Sequence, residues 1–401
     1  MIPLWRMLVI TVLSDMTTVT VMRGTPFLAK NQLDYTSLQN LGLTLAFGAS
    51  YVVAALLSHR TAHRLGERRT LSGLYLLEMV AGGTMFVLWR TPGLLYVYMG
   101  LLGCSNGAKW PVVESLVTAG RGAAAQAKAI GRFNIAWSAT FPVALLIAGP
   151  IIRYSPGALF LIPATLNVVI LIAVGTLPSR PMHLPEGHPD LLAVERVVQW
   201  GRLLTASRWL HLLSIGSLAV FGAIMPTICK DRLHLPVQWA TGMSGLTDLM
   251  RFLCFIALAN TTRWHGRRSP LVTAAMSLTA GFFLVATGPS LGVVIAGQVL
   301  LGLGIATSYY CSLYYGMALA NAAVSAGGVH EALIGMGNGL GPALALGGLA
   351  LLPANGGPMW GVLAGMSPAF AACFAGAAAA MLRLRGAGSA RPCDSRDARV
   401  R

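Results

Sequence analysis

The chain has 401 residues, of which 55% are hydrophobic and only 10% charged, and its mean hydropathy is +0.66. A soluble domain carries about 25% charged residues, so disorder, a coiled coil, a secreted disulfide scaffold and a soluble enzyme are excluded and a polytopic membrane protein remains. The 29 Lys and Arg against 13 Asp and Glu, net +16, fit cytoplasmic loops of such a protein better than nucleic-acid binding.

Apolar runs bounded by polar residues, Gly or Pro fall at about 7–29, 38–59, 70–89, 94–119, 127–151, 156–177, 208–228, 236–258, 269–288, 290–320, 329–352 and 357–382. Their lengths predict helices that cross a bilayer. The expected fold class is all-α, twelve transmembrane helices in two six-helix bundles, 1–177 and 207–382. A polar linker, 178–206, separates them, and a basic tail, 383–401, follows. The first run has the look of a signal peptide, but Asp15 interrupts it and no A-x-A site follows, so it is read as a retained span. Six scattered cysteines form no CxxC pair and have no His at ligand spacing, so no metal and no cofactor are expected. Arg6, Arg60, Arg64, Arg68, Arg69, Arg121, Lys128, Arg180, Arg196, Arg202, Arg263, Arg267 and Arg268 fall on one side with the tail. Lys30, Arg90, Arg153, Lys230 and Arg232 fall on the other. Both termini are therefore expected in the cytoplasm, with the chain in the cell (inner or plasma) membrane.

Ionisable groups inside spans are costly and mark candidate sites. In span one, Asp15 lies about 12 Å along the helix, with Thr18 and Met22 on the same face. It reads as a proton-coupling carboxylate on a cavity wall, or as a packing hydrogen bond. Arg23 and Lys30 read as snorkelling to the outer surface, with Arg23 a weak gate candidate. Glu78, alone in span three, finds no role in the sequence. In span four, Gly100, Gly103 and Gly107 make a small-residue face for close packing, shared by Glu114; an ion pair of Glu114 with Arg132 of span five is expected, structural or gating. Lys109 points about 200° away from the glycines, toward a wet cavity where it meets substrate or pairs with a carboxylate such as Asp15. In span five, Asn134 and Trp137 share a face. His211 reads as a wetted residue at a membrane end. In span eight, Asp248 and Arg251 can bridge at i, i+3, as a fold-stabilising pair or as a proton-switched pair that frees Arg251 for an anion. In span ten, Thr307, Tyr310 and Tyr314 share one face, cavity wall or packing, and Tyr309 and Tyr315 turn away. In span eleven, His330 and Glu331 read as a gate or surface pair, and the deeper Asn338 as a substrate or packing residue.

The halves repeat. HRLGERRTLSGL follows span two and RWHGRRSPLVTA follows span eight, with Gly66 and Gly266 in corresponding places; MGLLGCSNGAKW aligns with GQVLLGLGIATSYY. Duplicated halves place a substrate site between them near the midplane. These features resemble the major facilitator superfamily over roughly 5–382. Its loop after span two reads approximately G-x-L-x-D-R-x-G-R-R. Here Arg64, Gly66 and Arg68 match, and His63 stands at the Asp; the second copy keeps Gly266, Arg267 and Arg268. The resemblance implies that these loops gate the cytoplasmic side, and it implies proton-coupled secondary transport by alternating access. No P-loop, HExxH or GxSxG is present, so neither ATP-driven transport nor hydrolysis is expected. Lys109 and Arg251 suggest a small anionic or zwitterionic organic solute, bound by Thr18, Lys109, Asn134, Trp137, Arg251, Tyr310, Tyr314 and Asn338, with Asp15 and Asp248 carrying protons. The alternatives are proton-driven efflux of drugs or metabolites and a non-transporting membrane sensor or assembly protein. The expected partners are a small-molecule substrate, protons or another coupling ion, and the lipid bilayer, with no nucleic acid and a monomeric chain.

Overall fold

Long apolar segments in lipid must satisfy every backbone N–H and C=O internally, and this chain does so with helices alone among its described residues. The computed structural model describes residues 2–179, 197–319, 324–352 and 358–387. Most of the expected linker and the end of the tail, with Arg180 and Arg196, lie outside the described residues.

The helices are α1 Leu4–Gln32, α2 Ser37–Leu65, α3 Glu67–Leu88, α4 Pro92–Thr118, α5 Ala123–Tyr154, α6 Ala158–Gly175, α7 Val197–Thr227, α8 Val237–Ser244, α9 Leu246–Ala259, α10 Ser269–Thr287, α11 Leu291–Leu319, α12 Val324–Leu351 and α13 Pro358–Ala387. Because α8 and α9 form a single span, these make twelve crossings. Eleven of them are apolar enough to be membrane spans by length and composition. The twelfth, α4, is long enough but carries the buried polar residues Ser105, Asn106, Lys109 and Glu114. The expected elements are present, with two differences. α7 begins at Val197, inside the stretch read as linker. The eighth span is broken at Gly245, whose N–H bonds back to Thr241 and Gly242 carbonyls. That break places Asp248 in the first turn of α9, where the positive end of the helix dipole favours a carboxylate.

Local chemistry sets the ends. Thr36 and Gln39 form a reciprocal capping box at α2. Gly66 (φ 82°) and Gly266 (φ 70°) occupy corresponding turns in the two halves, a backbone region that glycine enters without strain.

In the first half α2 packs on α4, α3 on α6, and α1 on α5 and α6. In the second, α7 packs on α11, α12 and α13, α9 and α10 pack on α11, and α12 on α13. Contacts between halves run from α2 to α12 and α7, from α5 to α8 and α9, and from α4 to α12. Glycine permits the closest approaches. A Cβ on Gly103 or Gly107 would sit 2.1 or 2.2 Å from the Phe47 or Tyr51 carbonyl oxygen of α2. The corresponding Gly302 of α11 meets the Thr247 carbonyl of α9, so the repeat extends to helix contacts. A Cβ on Gly100, expected on this face, would meet no neighbouring element within 4 Å. Across the halves, a Cβ on Gly48 would lie 2.2 Å from the Asn338 backbone. The outer surface is apolar, with Leu56, Val87, Ile172 and Met276 all exposed, as lipid contact requires.

Candidate functional site

A cavity of about 130 Å³ lies between the halves. Helices α1, α2, α4 and α5 line it from one side, and α7, α9, α11 and α12 from the other. Its size is close to the roughly 150 Å³ that admits a benzene ring in an engineered cavity. Of the residues expected at a site, Asp15, Thr18, Trp137, Arg251, Asn338 and Glu114 line it.

One wall is cationic. Asp248, fully buried, has Arg251 Nη2 at 2.9 Å and Arg23 Nη2 at 3.4 Å. Arg251 lies over the rings of Phe141 (4.1 Å) and Trp137 (4.8 Å), which fixes the guanidinium plane by cation–π contact. Trp137 is itself oriented by its indole N–H, donated to Asn134 Oδ1 at 2.9 Å. Asn134 does not line the cavity and acts through Trp137. Although the ions are close, the N–H directions miss Asp248: Arg251 Nε and Nη2 and Arg23 Nη2 have no hydrogen-bond partner among the described residues. Arg23 therefore does not snorkel outward. It is 5% exposed and faces the cavity, because Asp248 draws it in.

Asp15 also lines the cavity and accepts the Thr140 hydroxyl of α5. Thr18 donates to Asn106 Oδ1 at 2.9 Å.

Lys109 departs from expectation. It is fully buried and absent from the cavity wall. Its ammonium donates to Glu78 Oε1 at 2.9 Å and to Thr18 Oγ1 at 3.2 Å, and it sits over the Tyr75 and Trp110 rings. Ser105 also donates to Glu78. The direction away from the glycine stripe leads to α3, not to water, and Glu78 is explained as the counterion.

A second stretch of the wall is acidic. Glu114 does not pair with Arg132, which is exposed. It contacts Glu331 of α12 instead, and Tyr51 of α2 donates its hydroxyl to Glu331. Neither Glu331 nor His330 is a surface residue, since both are buried. His211 is also buried, not wetted, and its ring stacks on His330 at 4.7 Å and 3°. Tyr309 meets both rings edge-on and lines the cavity. The tyrosine faces are thus reversed. Tyr310 packs on Phe255 and Trp264 and Tyr314 stacks on His265 at 4.4 Å, because at that end of α11 their face meets the 260–266 loop. A lone His or Glu near a helix start gives no sign of burial by itself; the clustering of Glu114, His211, Tyr309 and Glu331 required the helix packing to be seen.

The loop residues are peripheral. Arg64 and Arg267 are exposed and Arg268 is half-buried. Arg68 donates to the Leu177 carbonyl at 3.2 Å, tying the loop to the end of α6. Gly266 N–H donates to the Tyr315 hydroxyl at 2.9 Å.

The two ends of the cavity are crossed differently. Where α1 finishes, half-exposed ion pairs join the halves, Lys30 with Asp231 at 2.8 Å and Lys230 with Asp34 at 3.0 Å. Toward the end where α1 begins, the crossing is the buried Glu114–Glu331 contact.

A family model described as Major Facilitator Superfamily matches residues 7–342. No curated protein matches. Among solved structures, the chain is similar to the nucleoside transporter NupG (TM-score 0.68, 12% identity, 96% of this chain and 100% of that one). It is also similar to the human organic anion transporter MFSD10 (TM-score 0.65, 14% identity, 94% and 100%). A third is a bacterial homologue of the human lysosomal transporter Spinster (TM-score 0.61, 13% identity, 95% and 96%). At these identities the likeness is one of fold.

Proposed function

The chain belongs to the major facilitator superfamily, and from that premise we propose that this integral membrane transporter moves a small anionic or zwitterionic organic solute by alternating access, coupled to protons. Residues 1–177 and, because α7 begins at Val197 and α13 runs to Ala387, residues 197–387 are the two moving units. Both termini face the cytoplasm of the cell membrane, on the arginine-rich side. The cavity is complete within one chain, so a monomer suffices.

The observation that carries the solute class is the Arg23–Asp248–Arg251 group. Two guanidiniums share one carboxylate, and three of their buried nitrogens lack an acceptor. Buried donors without partners are costly, and a carboxylate or phosphate oxygen entering the cavity would satisfy them. Asp15, which lines the same cavity, is the first proton carrier. Asp248 is the second: adding a proton to it would release both arginines toward an anion. The carboxyls of Asp15, Glu114 and Glu331 on the cavity wall favour a second reading, efflux of cationic compounds.

The test is flux through the purified full chain in proteoliposomes with an imposed pH gradient, over a panel of small organic acids, amino acids and cationic dyes. Gradient-driven movement of acids or amino acids is expected. Asp15→Asn is expected to lower gradient-driven accumulation at least tenfold while leaving solute exchange without a gradient. Movement of dyes alone would replace this reading by the cationic one, and no flux of any probe would reject transport.

A further inference from the structure

Glu114 and Glu331 come from opposite halves of the molecule, α4 and α12, and meet at the cavity wall. They are 7% and 3% exposed. Their surroundings supply too few donors for two carboxylates. Tyr51 of α2 gives its hydroxyl to Glu331. Glu114 Oε2 is buried, lies against Gly327 of α12 and has no partner among the described residues, although the Glu331 carboxyl is its neighbour.

The remaining titratable and charged neighbours do not neutralise the pair. Lys109, on the same helix as Glu114, is committed to Glu78. Arg251 and Arg23 are held at Asp248. From α7 come His211 and, beyond it, the half-buried Arg208. His330 of α12 stacks on His211, and none of the His330 ring nitrogens nor His211 Nε2 has a partner among the described residues. Tyr309 of α11 closes the group, and Asp15 lines the same cavity. An orphaned acceptor beside a second acceptor lacks one hydrogen. Two buried carboxyl groups in contact cannot both carry charge without strong repulsion, so the missing hydrogen is a shared proton.

We propose that Glu114 and Glu331 form a proton-binding site that bridges the two halves and latches α4 against α12 toward the end where α1 begins. This inference rests on the transport reading and extends its proton chemistry to a site distinct from Asp15 and Asp248. With one proton bound, the pair is a carboxylic acid donating to a carboxylate, and the helices stay in contact. When that proton leaves to water, two carboxylates face each other and drive α4 and α12 apart, opening that end of the cavity. Glycine allows the closed state: a Cβ on Gly327 of α12 would lie 2.8 Å from Glu114 Oε2. The latch thus makes opening of this end depend on pH, whereas the ion pairs at the other end contain Lys and Asp at partly exposed positions.

The test reads the distance between spin labels at Leu65→Cys on α2 and Val329→Cys on α12, both exposed, in the full chain with its six native cysteines replaced by alanine. No solute is added, and the only probe is the proton. Raising the pH is expected to lengthen the distance. Glu114→Gln and Glu331→Gln, singly or together, remove the repulsion and are expected to hold the short distance at every pH. The single variants preserve the test should the double one fail to fold. A parent distance that ignores pH, or glutamine variants that respond as the parent does, would overturn the proposal. The outcome separates from that of the transport reading. A pH-independent distance alongside gradient-driven flux rejects the latch alone. A pH-dependent distance lost in the glutamine variants, with no flux of any probe, supports the latch and rejects transport.

Discussion

Lys109→Ala is expected to destabilise the protein by about 3–5 kcal/mol, the usual cost of removing one partner of a buried ion pair. Lys109 is fully buried, bonded to Glu78 at 2.9 Å and to Thr18 at 3.2 Å. Its removal leaves Glu78, between α3 and α4, with Ser105 as its remaining donor and a void where the lysine stem lay. The cost arises from the stranded charge more than from the lost attraction. The double variant Lys109→Met with Glu78→Leu should therefore recover most of the loss, since replacing both ions by apolar groups of similar volume is often neutral or stabilising. Thermal unfolding followed by size-exclusion chromatography in detergent measures both. A single variant as stable as the parent would show that Lys109 is not the counterion of Glu78.

Arg251→Ala is expected to raise the half-saturating concentration of an anionic solute about ten- to a hundredfold. That follows from losing a charge-assisted hydrogen bond worth about 1.5–3 kcal/mol. Asp248 keeps Arg23 at 3.4 Å, so the fold should survive. Arg251→Lys separates charge from shape. A lysine restores the charge but not the flat, multi-donor group held between Phe141 and Trp137, so it should recover only part of the loss. Concentration dependence of flux in proteoliposomes decides this, and parent-like kinetics for the alanine variant would remove Arg251 from the site.

Much of the architecture is legible in the residue order because lipid imposes a simple code. Length and hydropathy give the crossings, and Gly66 and Gly266 mark equivalent turns because both need positive φ. Gly103 and Gly107 announce a helix contact that the α2 carbonyls fill. Pairings within one helix are legible too: Asp248 and Arg251 meet at i, i+3 as helical geometry requires. Pairings between helices are not. Lys109 with Glu78, Arg23 with Asp248 and Glu114 with Glu331 depend on which helices are neighbours and how they are rotated. Periodicity within each segment carries no such information. A general rule could have gone further: a buried charge needs a partner, so the unassigned Glu78 and Lys109, one span apart, were the natural pair. The tyrosine faces of α11 were reversed for a related reason. Helical spacing groups Tyr310 with Tyr314 correctly, but it does not say whether that face meets the cavity or the loop carrying Trp264 and His265.

In the transport cycle proposed above, one cavity between the halves is reached from one membrane face at a time. Ala219 of α7 lines that cavity and is buried. A single cysteine placed there, Ala219→Cys in the cysteine-free chain, can be challenged in sealed proteoliposomes with a membrane-impermeant maleimide applied outside or trapped inside. Labelling from either face is expected, with conditions that expose the position on one side protecting it on the other. Equal labelling from both sides under all conditions, or from neither, would contradict it.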